Sequence, residues 1–358
     1  MAYLPETAHV TLLATLRRER LLPLAGTVIV QARQHVEAAD VVARTVLAEG
    51  HRLVDVARQL GLPAEKADSA MLKTDGQLVK AGEALAVRKT TFGLLKRTAR
   101  SPVEGRLVAA AGGKALVAAI SKPFELKAGI PGSVVTILQA RGVVIETVGA
   151  LLEGAWGNGR EDFAPLRLVG GNPGAKLTLD LVAVDHRGAI LAAGTLDDPA
   201  VLKKLAETPV RGLVVGTLAS GLLPAVQKLK FPVLVVEGFG GRGFSDPVFA
   251  LLQGSAGREA WVNAQPTDRF TGRRPELVVP LASPSEPPPP PGDGHTLATG
   301  QRVRVVRGPA AGRVGTVNEL SERPMATASG LRAYVATVSL DGSSTLAQVP
   351  FANLELLE

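Results

Sequence analysis

The segment of this sequence best suited to bind a ligand is EGFGGRGFSDP, at positions 237–247. Its glycines let backbone N–H groups approach a phosphate closely, Arg242 adds a positive charge, and Ser245 can cap the helix expected to follow. The spacing matches neither G-x-x-x-x-G-K-[ST] nor the G-x-G-x-x-G of dinucleotide-binding folds, and glycine loops often serve only as turns. Both interpretations stay open. The candidate phosphate-binding residues are Gly238, Gly240, Gly241, Arg242, Gly243 and Ser245.

Positive charge is the second feature with chemical meaning. The chain has a formal net charge of +7, and residues 1–124 carry 18 Lys and Arg against 11 Asp and Glu. Such a surplus attracts the phosphates of nucleic acid or an acidic protein surface, although a solvated basic face is the common alternative. The candidate nucleic-acid or partner contacts in this region are Arg88, Lys89, Lys96, Arg97 and Arg100.

The rest of the sequence contains no pattern of catalytic or metal-binding residues. The five histidines are dispersed, cysteine is absent, and neither H-E-x-x-H nor G-x-S-x-G occurs. We therefore assign no catalytic residue, metal or cofactor, and we expect a protein that is not an enzyme unless the glycine loop acts on a ligand. The absence of cysteine and of any apolar run of membrane-spanning length predicts a soluble cytoplasmic protein with no membrane partner.

The elements that position these residues follow from composition and repeats. A length of 358 residues predicts two or three domains, and 46% hydrophobic but only 4% aromatic residues predict cores of Val, Leu, Ala and Ile. QHVEAADVVAR (34–44) and QLVKAGEALAVR (77–88) predict a repeated strand–turn–strand unit. A second pattern accompanies this repeat. Three segments have Pro shortly before Gly and then begin an apolar strand: PLAGTV (23–28), PVEGRL (102–107) and IPGSVV (130–135).

This N-terminal pattern resembles the barrel-sandwich hybrid of the biotinyl and lipoyl carrier domains. The resemblance covers residues 20–120, with a helix expected around VDVARQLG (54–61). In that family a lysine at a hairpin tip, typically within Glu-Ala-Met-Lys-Met, carries the cofactor. Here the nearest segment is SAMLKT (69–74), in which Lys73 is displaced by one position and the preceding acid is missing. The resemblance therefore implies the fold, and we expect Lys73 to carry no biotin or lipoyl group.

From about residue 180 the sequence alternates short apolar strands with helix-like segments. Strands that are apolar throughout are typical of a parallel sheet buried on both faces. Because open parallel sheets bind ligands at the carboxyl ends of their strands, the glycine loop lies where a ligand is expected. The predicted strands are AILAAG (189–194), GLVVG (212–216) and PVLVVEG (232–238).

Beyond a proline-rich stretch, SPSEPPPPPGDGHT (283–296), the sequence predicts a compact β unit on a semi-rigid spacer. Its segment TGQRVRVVRGPAAGRVGTVNEL resembles the KOW motif, an SH3-like barrel element of a transcription factor and of several ribosomal proteins. In that family the element contacts ribosomal RNA, RNA polymerase or ribosomal partners, which implies a binding function. Because its turns and core residues are local, we expect the unit to fold by itself. The candidate contacts are Arg302, Arg304, Arg307 and Arg313, and the turn glycines are Gly308, Gly312 and Gly315.

Together these patterns predict a multidomain α+β protein. The whole order resembles bacterial KOW motif-containing proteins, from which no activity can be transferred. The predicted segments are a barrel-sandwich-hybrid-like β domain with a helical insertion (1–125), a β-rich extension (126–178), an α/β domain with a mostly parallel sheet (179–282), a Pro-rich linker (283–296) and a KOW, SH3-like barrel (297–358).

The leading functional hypothesis is a non-enzymatic adaptor. In this hypothesis the KOW unit and the basic N-terminal residues bind RNA or a ribonucleoprotein machine such as the ribosome or RNA polymerase. Two alternatives stay open. One is a structural protein that forms homo-oligomers, and the other is an enzyme or sensor that binds a nucleotide or phosphate ligand through residues 237–247.

Overall fold

The computed structural model describes residues 3–89, 96–120, 123–268, 270–292 and 295–357, and the protein is built mostly from β-strands. Strands account for 45% of the chain and helices for 12%, so the helices serve mainly to cover sheets. Within the described ranges, no helix is long and apolar enough to cross a membrane.

The N-terminal part consists of short strands around two short helices. The helix predicted near residues 54–61 is confirmed: it begins after Asp55, whose carboxylate accepts a hydrogen bond from the N–H of Arg58, and it ends at Gly61 in the left-handed conformation (φ 64°). In chain order the elements are β1 (Glu6–Ala8), β2 (Val10–Leu21), β3 (Thr27–Val28), β4 (His35–Val36), β5 (Val41–Thr45), β6 (Ala48–Asp55), α1 (Val56–Leu60), α2 (Ala64–Asp68), β7 (Leu78–Val79), β8 (Ala84–Lys89), β9 (Lys96–Arg100), β10 (Gly105–Ala111), β11 (Lys114–Ile120) and β12 (Phe124–Lys127).

The two sequence repeats adopt the same local structure, which confirms the predicted repeat. β4, a tight turn and β5 form the first copy, and β7, a tight turn and β8 form the second. Asp40 accepts a hydrogen bond from the N–H of Glu37 in the first turn, and Glu83 accepts one from the N–H of Lys80 in the second, both at 2.8 Å. The second copy has its own hydrophobic core and is inserted between β5 and β12, which pair with each other around it.

A glycine fixes the partner strand of each repeat. Gly132 pairs with Val36 in the first copy, and Gly105 pairs with Val79 in the second. A side chain at either glycine would overlap a carbonyl oxygen of the neighbouring strand. The first Pro-before-Gly segment behaves in the same way, since a side chain at Gly26 would overlap the carbonyl oxygen of Arg44. The pattern in the sequence therefore marks three places where strands approach closely.

The centre of the molecule is one sheet, which has eleven strands in the described part of the chain. Its order is β15-β19-β18-β17-β16-β20-β21-β14-β13-β4, with β2 also paired to β14. The predicted boundary between residues 178 and 179 falls inside this sheet, because β16 and β17 pair directly in parallel. The elements not yet given are β13 (Gly132–Leu138), β14 (Gly142–Glu153), β15 (Trp156–Gly157), β16 (Glu161–Leu168), β17 (Ile190–Leu196), α3 (Pro199–Glu207), β18 (Gly212–Leu218), α4 (Leu223–Val226), β19 (Val233–Phe239), α5 (Asp246–Ser255), β20 (Glu259–Asn263) and β21 (Glu276–Pro280).

Strands β16 to β19 run parallel and are covered on both faces. Leu191 packs in the core cluster that contains residues of α3 and α4, whereas its neighbour Ile190 packs in the cluster that contains residues of α5. Burial on both faces explains why these strands are apolar throughout. The carboxyl ends of β18 and β19 point to the loop that contains residues 240–245.

The tail, residues 297–357, forms an open sheet together with a strand from the other end of the chain. The sheet order is β1-β28-β22-β23-β26-β27, and β1 lies parallel to β28 with Thr7 opposite Leu356. The predicted SH3-like barrel is not closed, because the edge strands β27 and β1 do not pair with each other. One strand of this sheet, β1, comes from outside the tail. The tail elements are β22 (Arg302–Val305), β23 (Val314–Leu320), β24 (Met325–Ala326), β25 (Arg332–Ala333), β26 (Val335–Leu340), β27 (Leu346–Pro350) and β28 (Leu354–Leu357).

The proline-rich linker lies against the body and is not a free spacer. The N–H of Thr15, in β2, donates a hydrogen bond to the carbonyl oxygen of Pro289 at 3.3 Å. The hydroxyl of the same threonine donates to the carbonyl oxygen of Pro288 at 2.6 Å. Proline carbonyls remain available as acceptors, and this contact holds the extended linker along β2.

A buried cluster of charges, the Arg304 network, joins the tail to the body. The side chain of Arg304, in β22, is 3% exposed, and its Nε and Nη1 donate to Glu355 Oε2 (3.0 Å) and Glu237 Oε2 (2.7 Å). Glu355 lies in β28, whereas Glu237 lies near the end of β19 in the body. Arg274 pairs with the other oxygen of Glu355 and donates to the carbonyl oxygen of Thr7 at 3.0 Å. The network therefore connects five separate segments of the chain: β22, β28, β19, the loop with Arg274, and β1.

Burial opposes the charges of Glu355 and Arg304, and the oppositely charged neighbours of these two residues outweigh it. Burial alone would raise the pKa of Glu355, but Arg304 and Arg274 hold that pKa below its ordinary value. Burial likewise disfavours the charged form of Arg304, while Glu355 and Glu237 raise its pKa. Each charge is stable in the interior only while its partners are present.

Replacing Arg304 by Met should lower the free energy of unfolding by about 3–5 kcal/mol, because it leaves Glu237 and Glu355 buried with less compensation. Urea denaturation at neutral pH measures this loss. The control is Arg302→Met in the same strand, which removes an exposed ion pair with Asp341 and should cost less than about 1 kcal/mol. Equal effects of the two substitutions would contradict the role given to the network.

Candidate functional site

A cleft of about 980 Å³ lies between the glycine loop and the tail. The glycine loop follows β19 and supplies residues 238–243. The tail supplies residues 304–307, 311 and 312, from β22 and the turn after it. Residues 6 and 7 of β1 and the loop around residues 267–274 also line the cleft, together with residues 155, 217, 237 and 355. The two segments that the sequence marked separately as candidate binding elements thus face the same space.

The backbone of the glycine loop is open toward solvent at its start. Gly238 and Gly240 have positive φ angles (98° and 145°), which glycine adopts without strain. Around Gly238, Gly240 and Gly241, no atom lies within 4 Å of the position that a Cβ would occupy. Gly243 differs, because a Cβ there would overlap the carbonyl oxygen of Pro173. The first three glycines therefore leave room for a ligand, and Gly243 packs the loop against the body.

Three successive amides of this loop have no acceptor among the described residues: the N–H groups of Gly241, Arg242 and Gly243. The backbone amides on either side of these three already donate hydrogen bonds within the protein. Gly240 donates to the carbonyl oxygen of Leu218 at 3.1 Å, and Phe244 donates to that of Pro173 at 2.9 Å. A row of free N–H groups between two anchored ones is a donor set suited to an anion.

The start of α5 does not supply the anion site that the sequence predicted there. The carboxylate of Glu237 accepts a hydrogen bond from the N–H of Ser245 at 2.8 Å, so a protein anion already occupies this position. The hydroxyl of Ser245 makes no capping hydrogen bond and is buried without a partner in the described part of the chain. Ser245 therefore holds the loop through its backbone, and a ligand phosphate is expected beside residues 240–243.

Two arginines of the cleft have unused guanidinium groups. Arg242 and Arg307 are exposed, and neither side chain has an ion-pair or hydrogen-bond partner among the residues that the structure describes. The side chain of Arg242 reaches toward the tail, since a Cβ on Gly312 would lie 3.1 Å from Arg242 Cδ. The body and the tail each contribute one free positive charge to the cleft.

The other tail arginines are engaged within the protein. Arg302 forms an ion pair with Asp341, and Arg313 donates to the carbonyl oxygen of the same aspartate at 2.8 Å. Arg304 is buried in the network described above and is not available to an external phosphate. Of the four arginines predicted as contacts, Arg307 is the one that keeps a free guanidinium at the cleft.

The turn glycines predicted from the KOW resemblance are structural. Gly308 and Gly312 have positive φ angles of 96° and 82° in the turn between β22 and β23. A side chain on Gly315 would overlap the carbonyl oxygen of Ser339 in β26. These residues allow the turn to reach the cleft and the strands to approach each other.

The basic N-terminal cluster lies on the two-stranded ribbon of β8 and β9 and does not line the cleft. Arg88 is opposite Arg97, and Lys89 is opposite Lys96. The side chain of Arg88 is partly buried and donates to the carbonyl oxygens at the end of α1, whereas Lys96, Arg97 and Arg100 are exposed. Arg88 therefore caps a helix, and three side chains of this cluster face solvent.

Lys73 does not have the surroundings of a carrier lysine. Its ammonium group forms an ion pair with Glu83 at 2.6 Å and is only partly exposed. A carrier lysine has to leave the domain surface on a free hairpin tip, so the residues present do not fit biotin or lipoate. The described residues also contain no group of three His, Asp or Glu side chains close enough to hold a metal ion.

The sequence matches no protein-family model and no curated protein. The interpretation of the cleft therefore depends on its own geometry. Sequence reasoning missed Phe239, Val306 and Arg274, all of which line it. Phe239 had a signal, since it is a large apolar residue between two loop glycines, Gly238 and Gly240, whereas Arg274 had none.

The effect of glycine substitutions on the free energy of unfolding tests the different roles of the loop glycines. Gly243→Ala should lower the free energy of unfolding by about 1–3 kcal/mol, because the new methyl group overlaps the backbone at Pro173. Gly241→Ala is the matched control, with open space around it and an expected change within about 0.5 kcal/mol. Thermal and urea denaturation measure both. A larger loss at Gly241 than at Gly243 would show that the loop is assigned incorrectly.

Proposed function

We propose that this protein binds a phosphate-bearing small molecule in the cleft between the glycine loop and the tail. The observation that carries the proposal is that several residues lining one cleft have donors without an acceptor in the described part of the chain. These donors are the N–H groups of Gly241, Arg242 and Gly243 and the guanidinium groups of Arg242 and Arg307. A phosphate offers strong acceptor oxygens and up to about two negative charges, which complement these donors.

The position and size of the cleft support a ligand site. Open parallel sheets bind ligands beyond the carboxyl ends of their strands, and the glycine loop leaves the end of β19. Small-molecule sites typically have volumes of about 300–1,000 Å³. The volume of about 980 Å³ lies within this range and is sufficient for a ligand larger than phosphate alone.

Among the described residues, three of the four carboxylates that line the cleft are engaged within the protein, and the fourth, Glu6, is exposed. Glu237 and Glu355 are held by Arg304, so neither is a free general base. Asp268 accepts hydrogen bonds from the N–H of Phe270 and the hydroxyl of Thr271, and these bonds hold its pKa below the ordinary value. We therefore propose a binding or sensing protein and assign no reaction.

Inorganic pyrophosphate is a suitable probe for this site. The wild-type protein should bind it, and the double substitution Arg242→Ala and Arg307→Ala should weaken binding at least about 100-fold, since a charged hydrogen bond contributes about 1.5–3 kcal/mol. Isothermal titration calorimetry measures both. The control is the double substitution Arg302→Ala and Arg313→Ala. It also removes two positive charges, but from tail residues outside the cleft. Absence of pyrophosphate binding by the wild-type protein, or equal losses in both double variants, would refute the proposal.

A second candidate function is binding of RNA or a ribonucleoprotein by the ribbon of β8 and β9. The specific observation is its register, which puts Arg88 opposite Arg97 and Lys89 opposite Lys96. Like charges at facing positions destabilise a strand pair. No carboxylate in the described part of the chain forms an ion pair with Arg97 or Arg100, so neither guanidinium has an acidic partner among these residues. A polyanionic partner supplies the missing negative charge.

The ribbon hypothesis predicts salt-dependent RNA binding. Changing Arg97 and Arg100 together to Ala should reduce the slope of log affinity against log salt concentration by up to about two units, as expected for two lost phosphate contacts. Fluorescence anisotropy with a labelled RNA at several salt concentrations measures the slope. The double substitution at Arg242 and Arg307 is the control and should leave the slope unchanged. Wild-type protein without salt-dependent RNA binding would exclude this function.

The finer architecture is part of the same proposal. The order β28-β22-β23-β26-β27, with a short 3-10 turn at Phe351–Asn353 before the last strand, supports an SH3-like KOW unit that is opened by its pairing with β1. The repeated turns and the glycines at 105 and 132 support a barrel-sandwich arrangement in the N-terminal part. Strands β16 to β19 support an α/β unit that continues into the antiparallel strands beside it.

A further inference from the structure

The cleft has an apolar wall beside its anion-binding loop. Phe239 and Val306 both line the cleft, although they are 47% and 42% exposed. Phe239 belongs to the glycine loop of the body, whereas Val306 belongs to the turn of the tail. An inorganic anion gains no favourable contact from either side chain. The lining is therefore suited to a ligand that carries an apolar group as well as a phosphate.

The ring of Phe239 is held in place by another aromatic side chain. Its centroid lies 6.2 Å from that of Trp156, with the planes inclined at 63° in an edge-to-face contact. Trp156 in turn packs against the core cluster of the parallel sheet. Because the ring is supported in this way and still about half exposed, it offers a surface on which a planar group can pack.

The chain limits how far the backbone of Phe239 lies from the anion donors. Phe239 and Arg242 are three residues apart, and consecutive Cα atoms are about 3.8 Å apart, so their backbones are separated by at most about 11 Å. A nucleotide spans a comparable distance between its base and its outer phosphate. Aromatic side chains are common platforms for bases because every base has a flat π face.

We infer that the ligand of this cleft is a nucleotide, with its base against Phe239 and Val306 and its phosphates beside residues 240–243. This inference rests on the proposed function and adds the class of ligand to it. Since Val306 comes from the tail and Phe239 from the body, the base lies between the two parts. The base then contributes to affinity by stacking on Phe239 and by apolar contact with Val306. The phosphates contribute by accepting hydrogen bonds from the free amides and arginines.

The test compares three probes on the full chain by isothermal titration calorimetry: adenosine diphosphate, guanosine diphosphate and inorganic pyrophosphate. At least one nucleotide should bind about tenfold or more tightly than pyrophosphate, because stacking on an aromatic side chain contributes about that factor. Phe239→Leu keeps an apolar residue but removes the ring. It should weaken nucleotide binding about tenfold and leave pyrophosphate affinity within about twofold.

Val306→Ala is the second variant, and it is independent of the contact between Phe239 and Trp156. It should weaken nucleotide binding severalfold with little change in the melting temperature, since Val306 is largely exposed. The nucleotide inference is overturned if both nucleotides bind no more tightly than pyrophosphate. It is also overturned if neither variant weakens nucleotide binding more than pyrophosphate binding. In both cases the phosphate site stands. If the wild-type protein binds none of the three probes, the proposed function fails together with the inference.

Discussion

The ion pairs of Arg304 are the interaction on which the rest of the arrangement depends. Charges in a protein interior are tolerated only in the presence of their partners. Arg304 and Glu355 come from the tail and Glu237 comes from the body, so all three charges are satisfied only when the tail lies in one position. The second oxygen of Glu237 accepts from the N–H of Ser245, at the far end of the glycine loop. Glu237, which lies at the start of the glycine loop, therefore binds both Arg304 of the tail and Ser245 at the end of the loop.

The composite nature of the cleft accounts for the absence of a recognisable binding motif in the sequence. A phosphate loop of the usual kind collects its donors within a few consecutive residues. Here one free arginine lies in the loop of the body and the other lies in the turn of the tail, and the apolar wall is divided in the same way between Phe239 and Val306. Each segment by itself resembles an ordinary turn, and only the packing of the tail brings the halves together.

Local patterns in the sequence were sufficient to predict part of this structure. The repeat, the helix near residues 54–61 and the apolar strands before the glycine loop depend on neighbouring residues, and the sequence contains those signals. The pairing of β1 with β28 and the continuity of the central sheet depend on residues far apart in the chain, for which a single sequence has no signal. Arg304 illustrates a further limit: in the alternating segment RVRV it is expected on an exposed face, and it is buried because the body covers that face.

The parallel pairing of β1 with β28 has a consequence for the order in which the protein folds. β28 is synthesised about 350 residues after β1, and chain elongation at about 5–20 residues per second separates the two strands by some tens of seconds. Contacts between residues so distant in sequence form late, because a long loop has to close before they are gained. During this interval β1 lacks its neighbour and Arg274 lacks Glu355. A nascent chain that stops short of β28 therefore lacks Glu355, the carboxylate that holds Arg304 and Arg274 beside the cleft.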